Sequence, residues 1–411
     1  MSFCLTLPEV RQLKHVAGGI IFVVKSGKSL LRTCVVYDPN SDACIHTLAW
    51  RKSPLIRFWS ESGCPTWEEF VYDGFANDKD GAAQFLSSME AWNSPYSNIN
   101  DSFAALTPLF SLFADGYYML EERDLYPTDG NGQFFWCVNN EKTLNPATTS
   151  LWDCDDGYMQ GHPSFLLPSQ PPSHFNRQRV DYYLDKPSPR ALAWHIGGTW
   201  LNILLDGHHK ATAAALKRRP VKSLVITQPT HLINQLKLIF PCGESLEETE
   251  FLDNIPFITQ PNILPVSAWD DYFLRNDYRY DSIDWPAELE TCVKHYPDLR
   301  TAGKIAAVGD ISSARILQII EQDSMWADDA PDALLLALFY NQSESLLPFA
   351  QYIATHSEYA SYHQLAFTLL AKERTPQTDE FFLNFAINDD GERPELTKIM
   401  DHYFLQPQAQ A

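Results

Sequence analysis

The sequence of this 411-residue chain lacks any apolar segment long enough to cross a membrane. The apolar run at residues 17–24 is far shorter than the roughly 20 residues that a transmembrane helix needs. The first residues also lack the basic region and long apolar segment of a secretory signal. We therefore expect a cytoplasmic protein that does not span a membrane.

Paired cysteines are absent as well. The eight cysteines are scattered along the chain, without a Cys-x-x-Cys pair and without the spacing of zinc ligands. Such usage is typical of reduced thiols in an intracellular protein. The pattern therefore argues against a disulfide framework, and we expect no metal centre.

Positive charge is scarce. The chain has 31 Lys and Arg against 52 Asp and Glu, a formal net charge of −21, which argues against a general nucleic-acid binder because a duplex would repel it. Residues 171–240 are the exception, with ten basic side chains against three acidic ones, whereas residues 241–411 carry a net charge of −19. A locally basic segment in an acidic chain favours a small anionic ligand.

The order of turn-rich and periodic segments predicts an α+β protein of several parts. Residues 1–150 alternate β-branched and aromatic runs with turns, which indicates a mixed, β-rich domain. Residues 151–240 alternate helical and strand patterns and predict a small α+β domain. Residues 241–300 are acidic, contain proline and aromatic side chains and show no clear period, so we expect an irregular connecting region.

Within the first domain, strand patterns at 19–24, 30–37 and 44–50 are separated by short turns and predict an antiparallel meander. From residue 301 to 411 apolar residues recur every three to four positions, which predicts an all-α domain, either a bundle or a short array of helical repeats. The predicted helices cover residues 312–321, 332–340, 345–355, 359–372, 379–387 and 395–404.

The most specific segment is residues 204–216, LLDGHHKATAAAL, where an apolar strand passes through an Asp-Gly turn into an Ala-rich helix. The first N–H groups of a helix have no intrahelical partner and the helix dipole is positive there, so this position favours a bound phosphate. Gly207 permits a tight turn and a close approach to a ligand. The segment therefore predicts an anion site.

Polar side chains of the same turn supply the candidate contacts. His208, His209 and Lys210 lie in the first helical turn as candidate cationic donors, and Thr212 is a further candidate cofactor-binding residue. Asp206 is either a general base or magnesium ligand, or an N-cap of the helix. Asp206 and His209 are the candidate catalytic residues. Because adjacent helical residues point about 100° apart, the two histidines do not suit one zinc ion.

Other basic residues are weaker candidates for the same site. Arg177, Arg179 and Arg190 are candidates to reach it, although surface arginines are common. Lys217 falls in the last turn of the predicted helix, where a cation complements the helix dipole without any ligand.

The strands before the turn, the Asp-Gly-His-His-Lys turn, the Ala213-Ala214 pair and the strand after Pro220 together resemble the ParB/sulfiredoxin-like superfamily. The resemblance covers roughly 55 to 75 residues, near 171–230. In that superfamily the turn holds nucleotide phosphates, and its members include CTP-dependent partition proteins, ATP-dependent sulfinic-acid reductases and small-molecule serine kinases. The resemblance implies that Gly207, His208, His209 and Lys210 contact phosphates here.

One difference from the superfamily reduces the number of reactions that we expect. The sulfiredoxin branch has its reactive cysteine where this chain has His208, so sulfinate reduction is disfavoured. The leading hypothesis is a nucleotide-binding protein, with ATP or another nucleotide and magnesium, acting as an ATPase or a small-molecule kinase, whose C-terminal helices dock a partner or form an oligomer. The alternative is a non-enzymatic interaction or scaffold protein that uses its acidic helical domain.

Overall fold

In the computed structural model the chain forms two compact units, Met1–Leu299 and Arg300–Ala411. The structure describes residues 7–38, 43–51, 53–61, 68–72, 79–89, Trp92, 98–127, 165–170, 174–186, 190–197, 201–217, 219–234, 236–257, 262–265, Pro297, Thr301, 304–305, Val308, 310–322, Met325, 330–388 and 393–405. The predicted domain boundary at residue 150 lies outside the described residues.

The described strands of the first unit form three sheets. Its described strands are β1 (Glu9–Val16), β2 (Gly19–Lys25), β3 (Leu31–Asp38), β4 (Ala43–Trp50), β5 (Ser53–Glu61), β6 (Glu68–Tyr72), β7 (Gly116–Leu125), β8 (Phe165–Pro168), β9 (Ala191–His195), β10 (Leu201–Asp206), β11 (Val221–Thr227), β12 (His231–Ile233), β13 (Lys237–Ile239), β14 (Ser245–Glu247) and β15 (Asn262–Pro265). Its described α-helices are α1 (Lys79–Ser88), α2 (Ile99–Phe110), α3 (Arg177–Leu184) and α4 (His208–Leu216).

The largest sheet has seven strands in the order β1-β2-β7-β11-β9-β10-β8. The pairs β11–β9 and β10–β8 are parallel, and the other pairs are antiparallel. Strand β7 pairs with β2 on one side and with β11 on the other. Strands from both sides of residue 150 therefore belong to one sheet.

A second sheet has five strands in the order β15-β3-β4-β5-β6. Strands β3 to β6 form an antiparallel meander, as the patterns at 30–37 and 44–50 indicate. The prediction that residues 19–24 belong to the same meander is wrong, because β2 pairs with β1 and β7 instead. Between β2 and β3 the Gly27 amide donates to the Asp115 carboxylate at 2.7 Å, which holds the connection between the two sheets.

Residues 241–300 are more ordered in part than the sequence predicts. Strand β14 pairs with β13, and the chain then forms a short 3-10 helix, Glu248–Glu250. Leu246 and Ile255 enter a core with Ile21 and Met119 of the large sheet. Part of residues 241–257 therefore packs on the large sheet, because apolar side chains without a regular period still bury against a neighbouring sheet. The prediction for most of residues 258–300 falls outside the described residues.

Opposite this core, helix α2 packs on the large sheet. It begins after Asn98, whose side chain accepts the N–H of Asp101 as an N-cap. The Phe22 ring lies 4.5 Å from Phe110 and 5.3 Å from Phe103 between ring centroids. Aromatic burial thus fixes α2 against β2 and β7.

The second unit is helical in its described elements. These are α5 (Ser313–Gln322), α6 (Pro331–Tyr340), α7 (Leu346–Thr355), a 3-10 segment (Ser357–Tyr362), α8 (His363–Lys372), α9 (Pro376–Asn388) and α10 (Pro394–Leu405). Phe349, Phe367 and Phe382 are fully buried in their common core. The predicted helices are confirmed, with the fourth beginning as the 3-10 segment. Throughout the described residues, no helix combines the length and the apolar character needed to span a bilayer.

Candidate functional site

The predicted anion site lies where β10 passes into α4. Strand β10 pairs with β9 and with β8, and α4 then leads to β11, which pairs in parallel with β9. All five residues of β9 are buried, as are residues 201–205 of β10. The local order of strands and helix is therefore the one predicted from the sequence.

Gly207 is required by both backbone conformation and space. Its φ of +110° and ψ of 22° lie in the left-handed region, which glycine adopts at the lowest cost. A Cβ at this position would lie 3.0 Å from the Ala191 Cβ and 3.1 Å from its Cα. Gly207 is also the N-cap residue of α4, and it has no side chain with which to cap the helix. The start of α4 thus approaches β9 closely and carries no capping side chain.

The structure gives His208 a different role from the predicted one. Its ring is buried, and its Nε2 accepts the backbone N–H groups of Ser169 at 3.1 Å and Gln170 at 3.3 Å. Burial lowers the pKa of His208 to about 3, with the nearby Asp206 carboxylate acting in the opposite direction. His208 is therefore a neutral acceptor that ties β8 to α4, and the expectation that it acts as a cationic donor is wrong.

The side chains of His209 and Thr212 also form hydrogen bonds within the protein. The His209 Nε2 accepts the N–H of Asn176 at 3.0 Å, just before α3, and burial together with Arg179 lowers the pKa of the ring. The Thr212 side chain is buried, and its hydroxyl donates to the His208 carbonyl at 2.8 Å within α4. Neither the cationic role predicted for His209 nor a phosphate contact by the Thr212 hydroxyl fits this arrangement.

Asp206 and Lys210 form the polar part of the site that remains partly accessible. The Lys210 Nζ lies 3.0 Å from the Asp206 Oδ2, and the Trp92 indole N–H donates to the same oxygen at 3.1 Å. The Asp206 side chain is 33% exposed and the Lys210 side chain 11%. Asp206 is not the N-cap of α4, since Gly207 holds that position. The carboxylate therefore remains a candidate base or magnesium ligand.

The three candidate arginines differ in where they lie. Arg190 lies over the Trp92 ring, 5.3 Å from the ring centroid, and the Lys210 Nζ lies 5.9 Å from the same centroid. Arg177 pairs with Asp181 along the exposed side of α3 at 2.8 Å. Arg190 also pairs with Glu122 at 3.1 Å and donates to the Ser102 hydroxyl at 2.9 Å, so both Arg190 and Arg177 are engaged by described residues. Arg179 lies close enough to the His209 ring to lower its pKa.

The structure also contains a buried ion pair that the sequence did not single out. On β7, the Arg123 Nη2 lies 2.7 Å from the Glu121 Oε2, and the two side chains are 11% and 3% exposed. The Glu121 Oε1 and the Arg123 Nε have no hydrogen-bond partner among the described residues. Alternation along a strand was the available signal, because it places Glu121 on the same face as the buried Tyr117 and Met119.

Cys242 lies close enough to this pair for the charges of Glu121 and Arg123 to shift the pKa of its thiol. Burial and the Glu121 carboxylate raise the pKa of the Cys242 thiol to about 12. The thiol is therefore protonated near neutral pH, and it is not an activated nucleophile. In the described part of the chain, Cys34 and Cys242 are free thiols.

The buried His208 ring predicts a loss of stability in acid. Below about pH 6.5 the unfolded chain binds a proton at this ring, whereas the folded protein does so only near pH 3. Stability is thus present above pH 6.5 and falls as the pH is lowered towards 3. Between about pH 7 and pH 5, this residue should lower the free energy of unfolding by about 2 kcal/mol.

Urea denaturation at the two pH values checks this expectation. The His208→Gln variant cannot titrate at this position, so its free energy of unfolding should fall less between the two values than that of the wild type. Equal falls in both proteins would contradict the assignment of a neutral, buried ring.

Comparisons of the chain with protein-family models, with curated proteins and with solved structures found no match.

Proposed function

We propose that the segment from β8 to β11 binds the phosphate groups of a nucleotide at the start of α4. The observation that carries this proposal is the geometry at Gly207, where a helix begins without a capping side chain and with Lys210 in its first turn. Backbone N–H groups and the helix dipole favour an anion at such a position. The segment 171–240 has ten basic residues against three acidic ones, so its net charge also favours an anion.

The proposed contacts come from the backbone and from Lys210 rather than from the histidine rings. His208 and His209 position the start of α4 through the amides of Ser169 and Asn176. Lys210 would turn from Asp206 towards a phosphate oxygen, since an ammonium group binds phosphate as a point charge. Arg190, which lies over the Trp92 ring, is a second candidate cation for the phosphate groups.

The proposed reaction is transfer of the terminal phosphoryl group of ATP to water or to a small hydroxyl compound, which leaves ADP. Asp206 is proposed to accept the proton of the attacking hydroxyl. Among the described residues, no group of three or more His, Cys, Asp and Glu side chains suits a metal ion. A single carboxylate nevertheless fits magnesium, because this ion binds mainly through phosphate oxygens and water and would neutralise phosphate charge.

The resemblance to the ParB/sulfiredoxin-like superfamily supports the proposal through local structure. The two strands, the glycine turn, the helix and the returning strand occur in the order that the resemblance implies. His208 takes the position of the reactive cysteine and is occupied in accepting two backbone amides. Both features are consistent with a protein that binds a nucleotide and does not reduce a sulfinic acid.

Replacement of Lys210 tests the proposal. We expect Lys210→Ala to weaken binding of a magnesium nucleotide by roughly ten-fold or more, because a hydrogen bond to a charged group contributes about 1.5–3 kcal/mol. Isothermal titration with ATP, CTP and GTP, each with magnesium, measures the effect and identifies the preferred base. Absence of binding by the wild type for every nucleotide would overturn the proposed function.

Lys217→Ala is the matched control. It removes the same charge from the C-cap of α4, where the ammonium group donates to the Leu184 carbonyl. We expect nucleotide binding to change by less than about two-fold, since the positive end of the helix dipole and the proposed phosphate contacts lie at the other end of α4. Equal losses in the two variants would show a general effect of net charge.

The helical unit is proposed to dock a protein partner. Its last two helices expose large apolar side chains, with Ile387 78% exposed and Leu405 81% exposed. Leu383 lies one turn before Ile387 on α9 and is 53% exposed. Neighbouring exposed apolar side chains of this kind favour an interaction surface.

A further inference from the structure

The helical unit contains a groove of about 760 Å³ that the nucleotide site does not use. It lies between α7 and α9, and Arg393 also lines it. Its volume falls within the range of about 300–1,000 Å³ in which proteins hold small ligands. The groove is therefore large enough for a specific occupant.

Carboxamide side chains line both walls of this groove. Gln351 comes from α7, and Gln377, Asn384 and Asn388 come from α9. On α9 these residues are seven and four positions apart, which places them along one side of the helix. The side chains of Gln351, Gln377 and Asn384 make no hydrogen bond to any residue that the structure describes. Both hydrogen-bond donors and hydrogen-bond acceptors therefore line the groove.

A carboxamide carries a donor and an acceptor, as a peptide group does. A row of carboxamides can therefore bond to the N–H and C=O groups of an extended chain, whatever the side chains of that chain are. Helix α7 has ten residues and is about 15 Å long, which matches four to five extended residues at about 3.3 Å each. The half-buried rings of Phe381 and Phe385 provide an apolar floor.

The charges of the groove favour a basic occupant. The exposed Glu380 carboxylate lies on its wall and forms no ion pair with a described residue, whereas the Arg393 guanidinium lies over the Phe385 ring, 4.4 Å from the ring centroid. Residues 300–411 contain seven Lys and Arg against sixteen Asp and Glu. A lysine or arginine beside Glu380 would thus meet a complementary charge.

We propose that this groove binds an extended peptide segment of a partner protein, with a lysine or arginine of that segment beside Glu380. The inference rests on the proposed docking role of the helical unit and is independent of nucleotide binding. The carboxamides of Gln351 and Asn384 hold the peptide backbone, and Glu380 selects the basic side chain.

An array of immobilised random peptides, about eight residues long, tests the inference with the full chain as the probe. The array has three sets that carry two lysines, two glutamates or no charged residue. We expect the lysine set to bind most strongly. The best binder is then resynthesised with N-methyl groups on alternate backbone amides, and its affinity should fall by roughly ten-fold if the backbone is recognised.

Variants of the groove identify the binding surface. Gln351→Ala with Asn384→Ala should weaken the best peptide by about ten-fold or more, since two hydrogen-bonding groups are lost. Glu380→Gln should remove the preference for lysine while uncharged peptides still bind. Gln318→Ala, which removes an exposed carboxamide of α5 outside the groove, is the matched control and should leave binding unchanged. Because Gln318, Glu380 and Asn384 are exposed and Gln351 is only half-buried, thermal unfolding should change little in all variants.

The possible results distinguish peptide binding in the groove from docking elsewhere on the helical unit. Loss of peptide binding in Ile387→Ser but not in the groove variants would place the docking surface on the exposed face of α9 and overturn the inference while keeping the docking role. Tolerance of backbone N-methylation would overturn the extended-peptide mode. Absence of peptide binding in every set would overturn the inference outright.

Discussion

Arg123→Met is expected to lower the free energy of unfolding of the first unit by about 3–5 kcal/mol. The substitution leaves the Glu121 carboxylate, which is 3% exposed, without the guanidinium that lies 2.7 Å away. Its other oxygen already has no hydrogen-bond partner among the described residues. A buried charge without a partner loses its hydration and gains nothing in return. Urea denaturation followed by tryptophan fluorescence measures the change.

The double variant Glu121→Leu with Arg123→Met separates charge from packing. Replacing both partners of a buried pair by apolar side chains is often neutral, so its stability should lie within about 1 kcal/mol of the wild type. Arg177→Met, which removes one partner of the exposed pair with Asp181, should cost less than about 1 kcal/mol. A double variant as unstable as Arg123→Met would contradict an electrostatic cause and indicate loss of packing around β7.

His208→Ala is expected to lower the free energy of unfolding by about 2–5 kcal/mol, because it combines a lost buried ring with lost hydrogen bonds. The Ser169 amide, which is in a buried contact, and the Gln170 amide would both lose the Nε2 acceptor. The same change should loosen β8 from the start of α4. Chemical denaturation measures the stability, and hydrogen exchange at the Ser169 amide measures the local effect.

His208→Gln and His402→Ala serve as controls. A glutamine side chain carries an acceptor oxygen, so His208→Gln should regain part of the stability lost in His208→Ala. His402 is exposed on α10, and its replacement by alanine should change stability by less than about 0.5 kcal/mol. If His208→Ala proved as stable as the wild type, the two amide contacts would contribute nothing measurable to the fold.

Local patterns predicted the helices of the second unit and the strands next to the Asp-Gly turn. Apolar spacing located the six helices of the second unit within a few residues, because each helix buries one stripe against its neighbours. The strand expected after Pro220 is present as β11, Val221–Thr227. The Asp-Gly turn located the start of α4, since a strand followed by glycine and an Ala-rich run has few other conformations.

Side-chain roles at the candidate site were less predictable. Residue type suggested that His208 and His209 are cationic donors, but their states depend on burial and on amides 39 and 33 positions earlier in the chain. The partnership of Asp206 with Trp92 joins residues 114 positions apart. Contacts between positions so far apart in the chain are not visible in a local sequence pattern. The protonation state and the partners of each group are therefore known only from the folded protein.

By itself, the sequence determined the helices of the second unit, the strand–turn–helix at Gly207, the concentration of basic residues within 171–240 and the acidic helical segment after residue 301. Only the tertiary structure decided that β2 and β7 join the strands of the anion site in one sheet, and that part of residues 241–300 packs on that sheet. The physical reason is that elements form from local periodicity and backbone preferences, whereas strand partners follow from which apolar faces can bury each other. The Asp-Gly turn keeps its predicted helix, but burial made its histidines neutral and left Lys210 as the cation of its first turn.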